Sequence, residues 1–189
     1  VHETSLISAG EPEADMAPVL SGLIDPLLET CARSADGLDP SDAAVFMLNN
    51  STKAWVHKLG DEMDTWLGVL VRHQADKVLE RCGLAPAIRA SEAAAGKEGP
   101  ACAQPGLDET TLATVLRHFY SSLFSLVMPD FERIRRPGVR ADARRTTSLL
   151  VAEAHEGIYA LAADEASGYE DKSFLLHTPE QVRMLLDCD

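Results

Sequence analysis

His155 and Glu156 open what could be the helix of a zinc protease, in which two imidazoles four residues apart grip one metal and the glutamate acts as base. The position that needs the second imidazole holds Tyr159. A solvated helix face is the reading left for the pair. His57, His73, His118 and His177 have no spaced partner and read as surface residues. Cys31, Cys82, Cys102 and Cys188 stand far apart with no C-x-x-C, so neither a zinc clip nor a disulfide framework is indicated. They read as reduced thiols of a cytosolic protein. There is no G-x-S-x-G elbow, no glycine-rich phosphate loop and no cysteine with a His-Asn arrangement. Thirty carboxylates guarantee chance pairs such as Asp61 with Glu62 or Glu153 with Glu156, and acids three apart on a helix are usually solvated. No catalytic residue, metal ligand or cofactor is therefore expected, and the sequence reads as non-enzymatic. Asn49 and Asn50 each begin an N-x-S/T sequon, yet both lie inside a predicted helix of a chain with no secretory signal, so chance occurrence is the reading.

One charge feature stands apart: Arg133, Arg135, Arg136, Arg140, Arg144 and Arg145 form a basic island on an acidic chain. Guanidinium forks pair bidentately with carboxylate and phosphate, so the island could grip an acidic partner or lipid headgroups. The competing reading is a turn and helix end laced with intramolecular ion pairs, favoured because the arginines are spread across Pro137 and Gly138 rather than aligned on one face.

The chain around these residues has 189 positions, enough for one domain that buries about two-thirds of its unfolded surface. At 46% hydrophobic, 25% charged and only 5% aromatic, it is globular with a core of mostly Leu, Val and Ala, a palette that favours helices. A net charge of -13 argues against nucleic acid, whose binders neutralise phosphates with Lys and Arg, and an anionic membrane would repel the chain as a whole. No apolar run is long enough for a membrane span.

Positioning falls to helices. Residues 1–13 lack periodicity and are expected to fray. Residues 14–84 form a first helical part. In it Val19, Leu20, Leu23, Ile24, Leu27 and Leu28 recur at helical spacing, and Pro26 predicts a kink or a split. Asp39-Pro40 signals a helix start, with the helix running to about Leu59 before Gly60 breaks it and Asp61 caps the next. That next helix carries Met63, Trp66, Leu67, Leu70, Val71, Val78 and Leu79 and stops at Gly83. Residues 85–107, fourteen of twenty-three of them Ala, Gly or Pro, read as a linker or loop. Residues 108–189 form a second helical part, packed with the first as one domain. Asp108 caps a helix with the stripe Leu112, Val115, Leu116, Phe119, Leu123, Leu126 and Val127, followed by a short piece that ends at Pro137-Gly138. A helix over about 141–166 then groups Leu150, Ala154, Ile158, Leu161 and Ala162, and Thr178, Pro179 and Gln181 form a capping box before Val182, Leu185 and Leu186. No strand pattern competes. The predicted architecture is all-α, antiparallel helices in an elongated bundle.

Two stretches carry a family resemblance. Asp25-Pro26-Leu27-Leu28, Cys31, Ser34-Ala35 and the run from Asp42 to Asn50 resemble the sixth subunit of the conserved oligomeric Golgi (COG) vesicle-tethering complex where one helix ends and the next begins. The tail, with Tyr169, Leu175-Leu176-His177, Pro179-Glu180-Gln181-Val182 and Leu185-Leu186, is similar to that family's C-terminal signature. Ala75, Val78-Leu79, Cys82-Gly83-Leu84, Leu107-Asp108, Thr111-Leu112 and Tyr159-Ala160 fit the same frame. After Asn50 the chain departs from the family's aromatic and Met-rich run. The resemblance implies a bundle like the legs of multisubunit tethering complexes. It also implies a peripheral complex on the cytosolic face of the Golgi membrane that captures retrograde vesicles. Other COG subunits are the implied partners, together with SNAREs, Rab GTPases and coat components. A chain opening on Val1 reads as the distal leg of something longer, with the family's N-terminal coiled coil outside it. The alternative is an unrelated helical adaptor that binds a small GTPase or an acidic lipid surface through Arg133 to Arg145.

Overall fold

The structure, a computed structural model, describes residues 12–50 and 58–188. Among these residues there is no strand. Helix α1 spans Pro12–Ala35, α2 Pro40–Asn50, α3 Lys58–Arg81, α4 Ala85–Ala94, α5 Glu109–Ser122, α6 Pro129–Glu132, α7 Pro137–Ala163 and α8 Pro179–Leu185.

Local chemistry sets most of these ends. Asp39 accepts from the Ser41 amide at 3.0 Å, and Asp108 from the Thr111 amide at 3.0 Å, each satisfying a donor that the first turn leaves orphaned. Thr178 and Gln181 exchange reciprocal bonds, a complete capping box with Pro179 at the first position. At the other end of α3, Gly83 takes φ +76 while its amide bonds to the Glu80 carbonyl and the Leu84 amide to the Leu79 carbonyl, a Schellman closure.

Several expected boundaries are corrected. Residues 12 and 13 are already helical, while 1–11 lie outside the described residues. Pro26 lies within a single α1 rather than between two helices. A proline inside a helix removes one donor and crowds the carbonyl four residues back, here that of exposed Gly22, which solvent can reach. The side chains of Val19, Leu20, Leu23 and Ile24 lie outside the described part, and Leu27 is exposed. Helix α2 ends at Asn50, residues 51–57 are outside the described part, and α3 begins ahead of Gly60 and Asp61, so neither breaks nor caps it. Residues 85–94 of the expected linker form α4, with Pro86 in its first turn and Ala85 and Ala87 buried. Pro137 opens α7 instead of ending a piece, because its missing N–H costs nothing in a first turn.

The two larger of three apolar clusters among the described residues hold most of the helices. One joins Ala44, Val45 and Leu48 of α2 with Leu70 and Val71 of α3, Phe131 and Ile134, and Ala143 of α7. The other joins Val78 and Cys82 of α3 with Leu112, Leu116 and Phe119 of α5, Val151 and Ile158 of α7, and Val182 and Leu186 at the tail. It draws on both sides of residues 85–107. The N-terminal halves of α3 and α7 thus share one cluster and their C-terminal halves the other, so these two helices run in the same sense. The segment after α5 makes this possible by doubling back along α3: Arg81 donates to the Val127 carbonyl, Lys77 pairs with Asp130 and Arg136 reaches Met63. Antiparallel packing holds for α2 on α3, where Ser41 meets His73 and Met47 clusters with Trp66.

Candidate interaction surface

Among the described residues no group of three or more His, Cys, Asp or Glu could hold a metal ion. His155 is not on a solvated face: it is fully buried on α7. Its ring stacks on Phe119 at 5.2 Å, and its Nε2 shares a 3.1 Å hydrogen bond with the Tyr120 hydroxyl. Burial pushes its pKa down to about 4, with His177 as a second, electrostatic cause, so the imidazole stays neutral at physiological pH. Tyr120 moves the other way, up to about 12, chiefly by burial.

The structure also brings together a pair that sequence reasoning missed. Ser41 Oγ and His73 Nδ1 lie 2.5 Å apart across thirty-two positions of sequence, a nucleophile beside a base. Ser41 is only 1% exposed and also accepts from Gln74, whose amide bonds Asp130 as well. No substrate can reach that oxygen, and the network ties α2 and α3 to α6. Asn49 has a comparable task. Its side-chain amide donates to the Arg133 carbonyl and its oxygen accepts from the Arg135 amide, both at 2.9 Å, so the first sequon's asparagine clamps the turn ahead of α7. Asn50 bonds back to the Phe46 carbonyl at 2.7 Å.

The six arginines diverge. Arg133 pairs with Asp42 of α2, whose carboxylate raises the guanidinium's pKa further. Arg136 donates to Met63 Sδ at 3.0 Å. Arg140 and Arg144 share one carboxylate, Glu132. The guanidinium groups of Arg135 and Arg145 have no ion pair among the described residues, and both side chains are exposed. Arg135 faces a cleft beside Leu38, Phe46 and Asn49, whereas Arg145 and Arg144 border a different groove.

That second groove, about 590 Å³, runs between the end of α5 with the residues after it, the start of α7, and the end of α8. Its walls include Leu126, Val127 and Met128 on one side and Leu185 and Leu186 on the other. Val127 is 60% exposed and Leu185 40%, and along the same two segments Phe124 is 78% and Met184 63% exposed. Monomeric proteins seldom show large apolar side chains grouped in this way unless something binds them. None of these residues except the arginines stood out in the sequence, since Leu126, Val127 and Leu185 sit on stripes that predict burial.

A helical chain with an exposed apolar groove bordered by charged side chains of both signs has the features of a protein-interaction module. The profile of the family described as "Conserved Oligomeric Golgi complex subunit 6, C-terminal" matches residues 1–186, and the chain belongs to that family. Conserved oligomeric Golgi complex subunit 6 of Rattus norvegicus is 28% identical over 201 residues, covering 98% of this chain and 31% of that protein. The subunits of the same name from Arabidopsis thaliana and Dictyostelium discoideum are each 23% identical, covering 98% and 97% of this chain and 35% and 30% of theirs. The chain thus spans about a third of the length of the curated relatives it matches. No solved structure gives a significant match.

Proposed function

We propose that this chain serves as a non-enzymatic scaffold within a subunit of a Golgi vesicle-tethering complex, acting in retrograde intra-Golgi transport from the cytosolic face of the membrane. The family match over residues 1–186 carries the reading, because it covers every helix from α1 to α8. The grouping of exposed side chains around the groove supports a role in which surface shape, not a reactive group, does the binding. No helix among the described residues is long and apolar enough to cross a membrane, which fits attachment through partners. The other subunits of the complex are the constitutive partners, and SNAREs, Rab GTPases and coat components the transient ones. Arg133, Arg135, Arg136, Arg140, Arg144 and Arg145 make up the partner-binding region, with Arg135 and Arg145 contributing most because neither has an ion pair among the described residues.

Affinity purification of the tagged protein from cells, read by mass spectrometry, tests this. Recovery of the other tethering subunits is expected, and a preparation that contains none of them would refute the assignment. Charge reversal at Arg135 and Arg145 should lower recovery of the transient partners and spare the complex. The adaptor reading has in its favour the same two arginines, which lack an ion pair among the described residues. Flotation with anionic liposomes, or capture of a GTPase by protein that carries no tethering subunit, would select it.

A further inference from the structure

We propose that the joint between α2 and α3 is a proton-sensitive latch: the neutral ring of His73, taking a hydrogen bond from Ser41, fastens the first turn of α2, and a proton on that ring unfastens it. The latch lies inside the fold and needs no partner to operate.

Its chemistry follows from a chain of hydrogen bonds whose direction is fixed at one end. Asp130 has Lys77 Nζ at 3.5 Å and Arg133 at 3.8 Å, and an ionised carboxylate only accepts. The Gln74 atom turned toward it is therefore the amide nitrogen, and the second N–H of that nitrogen points to Ser41 Oγ at 3.2 Å. Ser41 Oγ has one other partner, His73 Nδ1 at 2.5 Å, so its own hydrogen goes there. Nδ1 must accept, which places the ring proton on Nε2 and leaves the imidazole neutral. A second proton puts a donor on Nδ1. Nδ1–H and the Ser41 hydroxyl then meet head to head, and if the hydroxyl turns away its hydrogen loses its acceptor. Ser41 and Gln74 are each only 1% exposed, so bulk water cannot take that place.

The charged groups on the packed elements do not relieve this. On α2, Asp42 takes Arg133, and ahead of it Asp39 accepts from the Ser41 amide. On α6, Asp130 is the far end of the chain, and on α7 Arg140 and Arg144 turn to Glu132. Arg72, Asp76 and Lys77 flank His73 on α3, and Lys77 turns to Asp130. Ser41 is the one hydrogen-bond partner of the His73 ring among the described residues, and His73 itself is half-buried, within reach of solvent protons. Imidazole is also the side chain whose charge changes between about pH 5 and 8. What opens is the start of α2, where Ser41 follows Pro40, and Asp42 beside it loosens its hold on Arg133.

NMR on the full chain tests the latch. Ring-nitrogen shifts at pH 7.5 should show His73 with its proton on Nε2 and Nδ1 bare. At pH 5.5, with the ring charged, the amide protection factors of Ala43, Ala44 and Val45 should fall about tenfold or more, the usual effect of orphaning a buried donor. The fall is read relative to the amides of α5, which report any acid effect from His155. His73→Asn sets a neutral acceptor where Nδ1 stands, so its α2 protection should stay level between the two pH values. An Nδ1–H tautomer at pH 7.5, a ring still neutral at pH 5.5, or α2 amides that keep their protection beside a charged ring would overturn the inference. So would a His73→Asn protein whose α2 loses protection as the parent's does, because acid would then act elsewhere. The first three readings are made on the parent protein and decide the matter even where His73→Asn does not fold.

Discussion

The buried imidazole of His155 should make this protein lose stability on mild acidification, and the size of the loss follows from its surroundings. In the unfolded chain the group takes up a proton near its ordinary pKa of 6.5; in the fold it resists until pH about 4. Between those values the unfolded state binds more protons than the native state, so unfolding becomes easier as pH falls. Each unit of displacement is worth about 1.4 kcal/mol, and the interval gives about 3 kcal/mol in total, a large part of the 5–15 kcal/mol that typically holds a domain together. The loss should begin below pH 6.5 and be complete near pH 4. Replacing His155 with Phe removes the titration and keeps a ring on Phe119. Tyr120 keeps the His177 carbonyl as acceptor, and the unpartnered Nδ1 disappears. Urea unfolding at pH 7.5, 6, 5 and 4.5 should show wild-type stability falling steeply and His155→Phe falling less, the gap between the curves reaching about 3 kcal/mol. Parallel curves, or an imidazole seen by NMR to titrate near 6.5, would refute the burial argument.

Other perturbations follow from single contacts. Gly168 and Gly37 both hold left-handed φ, +78 and +82, but a Cβ on Gly168 would meet Cys102 Sγ at 2.8 Å and one on Gly37 would meet nothing. Gly168→Ala should therefore cost about 1–3 kcal/mol more than Gly37→Ala in urea midpoints, the excess being crowding alone. Tyr169→Phe should cost about 1–3 kcal/mol, because the buried hydroxyl donates to the Leu107 carbonyl at 2.6 Å and leaves that oxygen unsatisfied when removed. The Tyr169 phenol is pushed up to about 12 by burial, so wild-type stability should also fall as pH rises from 10 to 12, and this variant should fall less. Asn49→Ala should cost about 1–2 kcal/mol by releasing the Arg133 and Arg135 backbone, measurable by calorimetry and as faster amide exchange at Arg135.

What could be read from sequence was whatever depends on residues three or four apart. The caps at Asp39, Asp108 and Thr178 and the stop at Gly83 are short-range devices, and each is found where its residues stand. Helix α4 was hidden because an Ala-rich stretch looks featureless when only large apolar residues are counted. Yet Ala is the best helix former, and Ala85 and Ala87 are small enough to be buried against their neighbours. His155 was hidden by its polarity. Thr147, Val151, His155, Ile158 and Ala162 are buried at steps of four and three, so the inward face of α7 carried its period through a histidine that residue type alone assigns to water. The Ser41-His73-Gln74-Asp130 network and the Asn49 clamp join positions more than thirty apart, and no local pattern announces them.

The arginine island shows most plainly how far density along a chain differs from a surface in space. Six guanidinium groups within thirteen positions suggest one strong patch. The turn at Pro137 instead sends Arg133 toward α2 and Arg136 toward the start of α3, and leaves Arg140, Arg144 and Arg145 on α7. Glu132 and Asp42 then neutralise part of that charge. What remains is Arg135 beside one cleft and Arg145 beside another, neither with an ion pair among the described residues. Exposed ion pairs are worth about 0–1 kcal/mol, so neither arginine can carry binding by itself. Affinity at either place has to come from the apolar lining, with the guanidinium selecting the sign of the partner and speeding its approach.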